Sequence, residues 1–220
     1  MVKIKNPLIV ALDVPTAEQA KGVVNTLVGT VNFFKVGWQL FIREGIQFVE
    51  WLNTRQCNIF LDLKLNDTPS TVEATIKNIP IKALPYLKFI TLQGDEETVK
   101  AARFGNDEID FLFCSKLSTS ALSDVDVARF SHENANAIKA GCTGVIASGL
   151  RIAVVREQFP ETIIVSPGIR RIDDRTDRHV AVTTPERAIK YGSDYIVVGR
   201  PIIESHNIVQ TTVDFLAKIT

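Results

Sequence analysis

The stretch FLDLKLNDTPSTV, residues 60–72, places three charged side chains among hydrophobic ones. Asp62, Lys64 and Asp67 stand at the end of what the pattern predicts to be a buried strand. A buried charge is costly unless an opposite charge pairs with it. Neighbouring carboxylates favour the protonated form of a lysine, so Lys64 is predicted to supply a positive charge and a proton. This form does not suit a Schiff-base nucleophile, which must be a free amine.

The stretch IVVGRPI, residues 196–202, has the residue types of a phosphate site. Gly199 lets the backbone approach a ligand closely, and Arg200 offers a planar fork of donors to phosphate oxygens. The alternative is that Arg200 only packs at the rim of the fold. Pro167-Gly168 predicts a turn that starts a long loop, 169–183. That loop is either a lid over the phosphate side of a ligand or a solvated charged segment, and its basic residues are Arg170, Arg171, Arg175, Arg178 and His179.

Eight short apolar runs alternate with eight amphipathic stretches along the chain. The runs are continuous rather than alternating, which is typical of parallel strands covered on both faces. Thr68-Pro69 and Thr184-Pro185 match helix starts, and Gly105, Gly141 and Gly192 stand where helices should end. The predicted strands cover 7–13, 32–37, 58–64, 88–93, 109–115, 143–148, 162–168 and 194–200, and the predicted helices cover 16–29, 38–53, 69–79, 95–104, 124–141, 149–158, 184–191 and 203–218.

Eight such units without a linker predict a single (β/α)8 barrel domain over residues 1–220. The alternative is a doubly wound open sheet, which typically has fewer strands and a Gly-rich first turn that ALDVPT lacks. Active sites of barrels lie at the carboxyl ends of the strands, so Asp13 and Lys35 should join Asp62 and Lys64, which share a strand face. A purely structural ion-pair network is the alternative, but two carboxylates and two lysines exceed what stability requires.

The composition indicates a globular protein without an electrostatic footprint for large polyanions. The 220 residues are 45% hydrophobic, and 25 basic residues balance 25 acidic ones to a net charge of zero. We therefore expect no nucleic-acid or membrane partner, and any phosphate binding must be local. No apolar run approaches the roughly 20 residues that span a bilayer.

The cysteines and histidines match no metal or redox motif. Cys57, Cys114 and Cys142 are far apart, which favours reduced, buried thiols in a cytoplasmic protein. His132 and His206 lie on predicted helices, and no His, Asp or Glu cluster has convincing metal spacing. The N-terminal apolar run is too short and wrongly flanked for a signal peptide. We expect a cytoplasmic protein without a metal.

The stretch DLKLNDTPST resembles the Asp-x-Lys-x-x-Asp signature of the orotidine 5'-phosphate decarboxylase family. The stretches ALD, FKVG, PGIR and IVVGRPI are similar to the same family, in the same order, across essentially the whole chain. The signature alone specifies a superfamily that includes sugar-phosphate decarboxylases and aldolases, whereas PGIR and GRPI favour the orotidylate enzyme. The resemblance implies conversion of orotidine 5'-phosphate to UMP, the last step of UMP synthesis, without a cofactor.

The resemblance also implies roles for individual residues. Lys64 would be the catalytic proton donor, Asp62 would lie against the substrate carboxylate, and Lys35 and Asp67 would complete the charged chain. Asp67 and Thr71 would reach into the partner's site, so the active site would be shared across a homodimer. The implied substrate contacts are Asp13 for the ribose, Ser118 or Thr119 for the pyrimidine, Gly199 and Arg200 for the phosphate, and Arg170 at the border of the ligand. Ser118 and Thr119 can equally cap the next helix.

Three positions depart from the family pattern. Arg171 stands where the family usually has a proline after PGIR, and 169–183 lacks the glutamine that the family's lid supplies. Equal-length alignment puts His179 at that place with Arg178 beside it, and either can donate to phosphate. Strand four ends in Leu92-Gln93-Gly94 rather than in a histidine. Because the charged core is intact, we expect activity, with an altered substrate affinity.

The charged cluster suits a decarboxylation that has no electron sink in the substrate. Loss of CO2 from orotidylate leaves an electron pair at C6, where no ring carbonyl delocalises it well. Other decarboxylases use a cofactor for this purpose, whereas a preorganised Lys64 ammonium can stabilise the carbanion and then protonate it. Two alternatives stay open: a magnesium-dependent sugar-phosphate decarboxylase or aldolase, and a catalytically inactive nucleotide-binding barrel.

Overall fold

The computed structural model describes residues 6–115, 124–171 and 183–219. Eight parallel strands form a closed barrel in chain order, and the last strand pairs with the first. The predicted (β/α)8 barrel is confirmed, and the open-sheet alternative is wrong. The strands are β1 Leu8–Ala11, β2 Phe33–Gly37, β3 Asn58–Leu65, β4 Leu87–Leu92, β5 Asp110–Phe113, β6 Gly144–Ile146, β7 Ile163–Ser166 and β8 Tyr195–Val198.

The helices surround the barrel and follow the predicted order. They are α1 Ala17–Leu27, α2 Trp38–Thr54, α3 Pro69–Asn78, α4 Glu96–Gly105, α5 Asp124–Ala140, α6 Arg151–Gln158, α7 Pro185–Lys190, α8 Arg200–Ile203 and α9 Ile208–Ala217, with a 3-10 turn at Ile81–Ala83. In the part of the chain that the structure describes, none of these helices is long and apolar enough to cross a membrane.

Two details of the predicted helices are wrong. The expected helix 203–218 starts later, at Ile208 in α9, where the Asn207 side chain caps the helix by accepting the Gln210 amide, and Ile203 ends the separate short helix α8. Thr68 occupies the capping position of α3 but makes no capping bond, since its hydroxyl pairs with that of Thr71. Thr184 caps α7 as predicted.

Alternate strand residues point into the barrel and fill it. Phe33, Phe89 and Tyr195 contact one another there, with ring centroids 5.3 to 5.6 Å apart. Because side chains alternate along a strand, the inward positions two residues further on form the mouth of the barrel. The apolar residues of the interior are Ile9, Ala11, Phe33, Phe60, Phe89, Leu112, Cys114, Ile146, Val165 and Val197.

Gly144, the first residue of β6, shows how tightly this interior is packed. A Cβ atom on Gly144 would lie 2.6 Å from both the Ile163 carbonyl oxygen and Leu112 Cδ2. We expect Gly144→Ala to lower the free energy of unfolding by about 1–3 kcal/mol through overpacking. The control is Gly22→Ala in α1, where a Cβ atom meets nothing within 4 Å and helix propensity favours alanine. Chemical denaturation measures both, and equal stability of the two variants would contradict this packing.

Candidate active site

Four charged side chains of alternating sign meet at the mouth of the barrel. Lys35 Nζ of β2 lies 3.0 Å from Asp13 Oδ1 and 3.4 Å from Asp62 Oδ2. On the other side of Asp62, Lys64 Nζ donates to Oδ1 at 2.7 Å. Asp13 follows the end of β1, and the other three residues belong to β2 and β3. The structure therefore brings these four residues together, as their positions along the chain predict.

The surroundings of this cluster keep its central pair ionised. Burial disfavours the charged form of Lys35, but the carboxylates of Asp62 and Asp13 outweigh it and raise the Lys35 pKa. Burial likewise disfavours the Asp62 carboxylate, yet Lys35 and Lys64 outweigh it and, with hydrogen bonds from Lys64 and Thr91, lower the Asp62 pKa. With a raised lysine pKa and a lowered carboxyl pKa, both groups are charged near neutral pH.

The backbone of β3 is irregular where it carries these charges. Lys64 has a φ of +48°, in the left-handed region that side chains other than glycine rarely adopt. The register between β3 and β4 shifts between Leu61 and Leu65. Asp62 and Lys64 are close together, as predicted. The predicted reason was that alternate residues of a regular strand share a face, and this reason is wrong because the strand is irregular here. The bulge turns Lys64, and the flexible lysine chain then reaches back to the carboxylate.

Thr91 of β4 is a residue of the cluster that the sequence analysis missed. Its hydroxyl donates to Asp62 Oδ1 at 3.0 Å and accepts a hydrogen bond from the Lys64 amide at 2.8 Å. A usable signal was present, since Thr91 is a lone hydroxyl in the apolar run KFITL, two residues after the inward-facing Phe89.

A cavity of about 160 Å³ lies at the mouth beside the charged cluster. The ammonium group of Lys64 lies at this cavity, with 40% of its side chain exposed. A fixed ammonium at a largely apolar cavity can stabilise negative charge that develops on a ligand atom and can donate a proton to it. The cavity is lined by Lys35, Asp62 and Lys64 together with Phe60, Cys114, Ile146, Pro167 and Val197.

Asp67 and Thr71 lie outside this cluster. Asp67 is exposed, and its carboxylate accepts the Thr68 amide at 2.6 Å rather than a lysine ammonium of the described chain. Asp67 therefore does not join the charged cluster of its own subunit, and the expectation that it completes the charged chain in the partner's site stays a prediction. Asp67 and Thr71 instead line a surface groove of about 380 Å³ that also contains Lys64 and Trp38. Lys64 thus links the cavity to an exposed face.

Gly199 and Arg200 follow β8 at the same end of the barrel. Gly199 precedes α8 with a φ of −110° and a ψ of −104°. A Cβ atom there would make only an ordinary contact, 3.4 Å from the Ala11 side chain. Packing against a Cβ atom therefore does not require this glycine. Arg200 is the first residue of α8.

The ends of the predicted lid are held together. Ile169 and Thr183 form a parallel bridge, and the Arg170 amide donates to the Thr183 carbonyl at 3.1 Å. The guanidinium of Arg170, which is buried, donates to the Ile169 carbonyl at 2.8 Å. The lid itself stays a prediction, because residues 172–182, with Arg178 and His179, lie outside the described residues. The same holds for the candidate pyrimidine contacts Ser118 and Thr119.

Two of the three departures from the family pattern have structural roles of their own. Arg171 extends towards α9, where it lies 3.7 Å from Asp214 Oδ2 and over the ring of Phe215. Gln93 donates from its side chain to the Cys114 carbonyl at 3.1 Å and so joins the carboxyl ends of β4 and β5. Within residues 6–115, 124–171 and 183–219, no three His, Cys, Asp or Glu side chains form a group that could hold a metal ion.

The closed barrel and its charged mouth define a (β/α)8 protein of the enzyme type, with polar side chains facing a cavity at the carboxyl ends of the strands. A family model described as orotidine 5'-phosphate decarboxylase / HUMPS family matches residues 6–214. The chain belongs to this family.

Curated relatives and solved structures agree with this assignment. The chain is 36% identical to orotidine 5'-phosphate decarboxylase of Carboxydothermus hydrogenoformans, covering 91% of this chain and 90% of the relative. The enzyme of the same name from Methylococcus capsulatus is 34% identical, with 91% and 86% covered. An uncharacterized conserved protein from Geobacillus kaustophilus superposes with a TM-score of 0.81 at 25% identity, over 97% and 100% of the chains. Orotidine 5'-phosphate decarboxylase from Lactobacillus acidophilus superposes with a TM-score of 0.73 at 27% identity, covering 98% of this chain and 100% of that chain.

Proposed function

We propose that this protein decarboxylates orotidine 5'-phosphate to UMP and CO2, the last step of pyrimidine nucleotide synthesis. The observation that carries the proposal is the Lys64 ammonium, held 2.7 Å from Asp62 beside the cavity at the barrel mouth. The names of the curated relatives support the same substrate.

In the proposed mechanism, the side chains of the charged cluster carry out the chemical step. The bond between C6 and the carboxylate carbon breaks, CO2 leaves, and the electron pair stays on C6. The Lys64 ammonium stabilises that pair electrostatically and then transfers a proton from Nζ to C6. Asp62 holds the ammonium and places a negative charge beside the departing carboxylate, while Lys35 keeps Asp62 ionised.

The remainder of the substrate is proposed to bind around the same mouth. Asp13 binds ribose hydroxyls, and the Gly199 amide with Arg200 binds the phosphate, with Arg170 at the border of the ligand. Binding energy at the phosphate, remote from C6, can position the ring for reaction. Outside the described residues, Ser118 or Thr119 is proposed to contact the pyrimidine and His179 or Arg178 the phosphate.

We further propose a homodimer whose two sites each receive Asp67 and Thr71 from the partner subunit. The support is geometric. Asp67 and Thr71 do not join the charged cluster of their own subunit, and they line the exposed groove that also contains Lys64. Trp38 lines the same groove, and Ile42 in the same helix is 77% exposed, as expected of a face that another protein covers.

A small-molecule substrate and a cytoplasmic location complete the proposal. Support for the location comes from Cys57, Cys114 and Cys142, which are buried and form no disulfide bond, a state typical of a reducing compartment. The net charge of zero favours neither nucleic acid nor an anionic membrane as a partner.

The test is the loss of orotidylate absorbance on addition of purified protein. We expect turnover to UMP without added metal or organic cofactor, and no change after treatment with EDTA. Activity that disappears in EDTA and returns with magnesium would favour the metal-dependent alternative. Binding of UMP without any turnover would favour the inactive nucleotide-binding barrel.

A further inference from the structure

Thr91 stands opposite the irregular part of β3. Between the two places where β3 and β4 pair in register, β3 has three residues, 62–64, whereas β4 has only Thr91. Such a bulge leaves backbone groups of the longer strand without a partner in the regular ladder. A side chain from the opposite strand can then provide the missing hydrogen-bond partner for such a backbone group.

The Thr91 hydroxyl satisfies this requirement. It accepts the Lys64 amide proton at 2.8 Å and donates its own proton to Asp62 Oδ1 at 3.0 Å, so its donor is fully used. Thr91 is completely buried, which prevents water from replacing it. One hydroxyl therefore holds both the backbone of the proposed proton donor and the carboxylate that holds its ammonium.

The backbone of Lys64 needs such support. Its φ of +48° is unfavourable for a side chain with a Cβ atom, and such a conformation persists only where the surroundings impose it. The Thr91 hydroxyl accepts the Lys64 amide proton in this left-handed conformation. In a regular strand that amide would instead pair with a backbone carbonyl of the neighbouring strand. Thr91 is not among the residues that line the cavity, so it acts through its neighbours.

We propose that Thr91 is a positioning residue that fixes the left-handed backbone of Lys64 and the orientation of Asp62, so that the ammonium faces the reacting carbon. The effect on turnover rests on the proposed function, whereas the effect on the Lys64 backbone does not. The other charged group that faces Asp62 is Lys35, from β2.

Thr91→Val and Thr91→Ser separate the hydroxyl from the shape of the side chain. We expect Thr91→Val to lower kcat about a hundredfold, the loss that misplaced reacting groups produce, with KM changed less than about threefold. Thr91→Ser keeps the hydroxyl and should restore kcat to within about fivefold of wild type. The control is Thr212→Val, which removes another buried hydroxyl, in α9, and should leave both constants unchanged.

Hydrogen exchange of the Lys64 amide, measured by NMR, provides a readout that needs no substrate. Protection of this amide should fall at least about tenfold in Thr91→Val and persist in Thr91→Ser. Thr91→Ala serves in the same comparison if the valine variant does not fold. Wild-type kcat and wild-type protection in a variant without the hydroxyl would overturn the proposal. If wild-type protein itself leaves orotidylate unchanged, the proposed function fails, and the amide measurement alone decides the role of Thr91.

Discussion

Lys64→Ala should abolish nearly all turnover while UMP still binds. The Lys64 charge acts mainly on the electron pair that forms at C6, which exists in the transition state and not in UMP. Loss of both electrostatic stabilisation and the proton donor is expected to lower kcat at least about a thousandfold. Steady-state kinetics with orotidylate and calorimetric titration with UMP measure the two quantities separately.

The fold should survive this substitution, because Asp62 keeps two other partners. Lys35 Nζ stays 3.4 Å from its Oδ2, and Thr91 still donates to Oδ1. The matched control is Lys88→Ala, which removes an exposed lysine of β4 that donates to the Pro85 carbonyl. Its kcat should equal that of wild type. Turnover of Lys64→Ala within about tenfold of wild type would show that the proton donor has been misassigned.

Mixing inactive Lys64→Ala chains with inactive Asp67→Ala chains should restore activity. If Asp67 serves the partner's site, each mixed dimer has one site with both defects and one intact site. The intact site takes Lys64 from one chain and Asp67 from the other. At random mixing about half of the dimers are mixed, so roughly a quarter of wild-type sites should recover. The chains must exchange through dissociated or refolded subunits, and exchange must be verified independently with labelled chains.

A chain that carries both substitutions supplies the matched control. Mixed with an equal amount of wild type, it inactivates both sites of every mixed dimer if Asp67 crosses the interface. Activity should then fall from about half of all sites to about a quarter as the subunits exchange. If Asp67 serves its own subunit, activity stays at about half, and the mixture of single variants stays inactive. That pair of results would reject the shared site.

The sequence by itself determined the barrel and the convergence of its main charged residues. Continuous apolar runs and amphipathic helices are local patterns, and eight alternating copies without a linker favour one closed architecture. In that architecture all strands point their carboxyl ends to one mouth. Asp13, Lys35 and Asp62 could therefore be placed together before the distances between them were known.

Tertiary structure alone decided how the cluster is held. The register between β3 and β4 depends on packing across the whole barrel, so no local pattern indicates that three residues of β3 face Thr91 alone. The left-handed φ of Lys64 follows from that bulge, and a lysine has no intrinsic preference for it. The place of Asp67 was likewise decided by the loop after β3, which directs this carboxylate to an exposed groove instead of the cavity. Spacing in sequence could associate Asp67 with Lys64, but only the path of the chain places Asp67 in the groove and outside the cavity that Lys35 and Asp62 line.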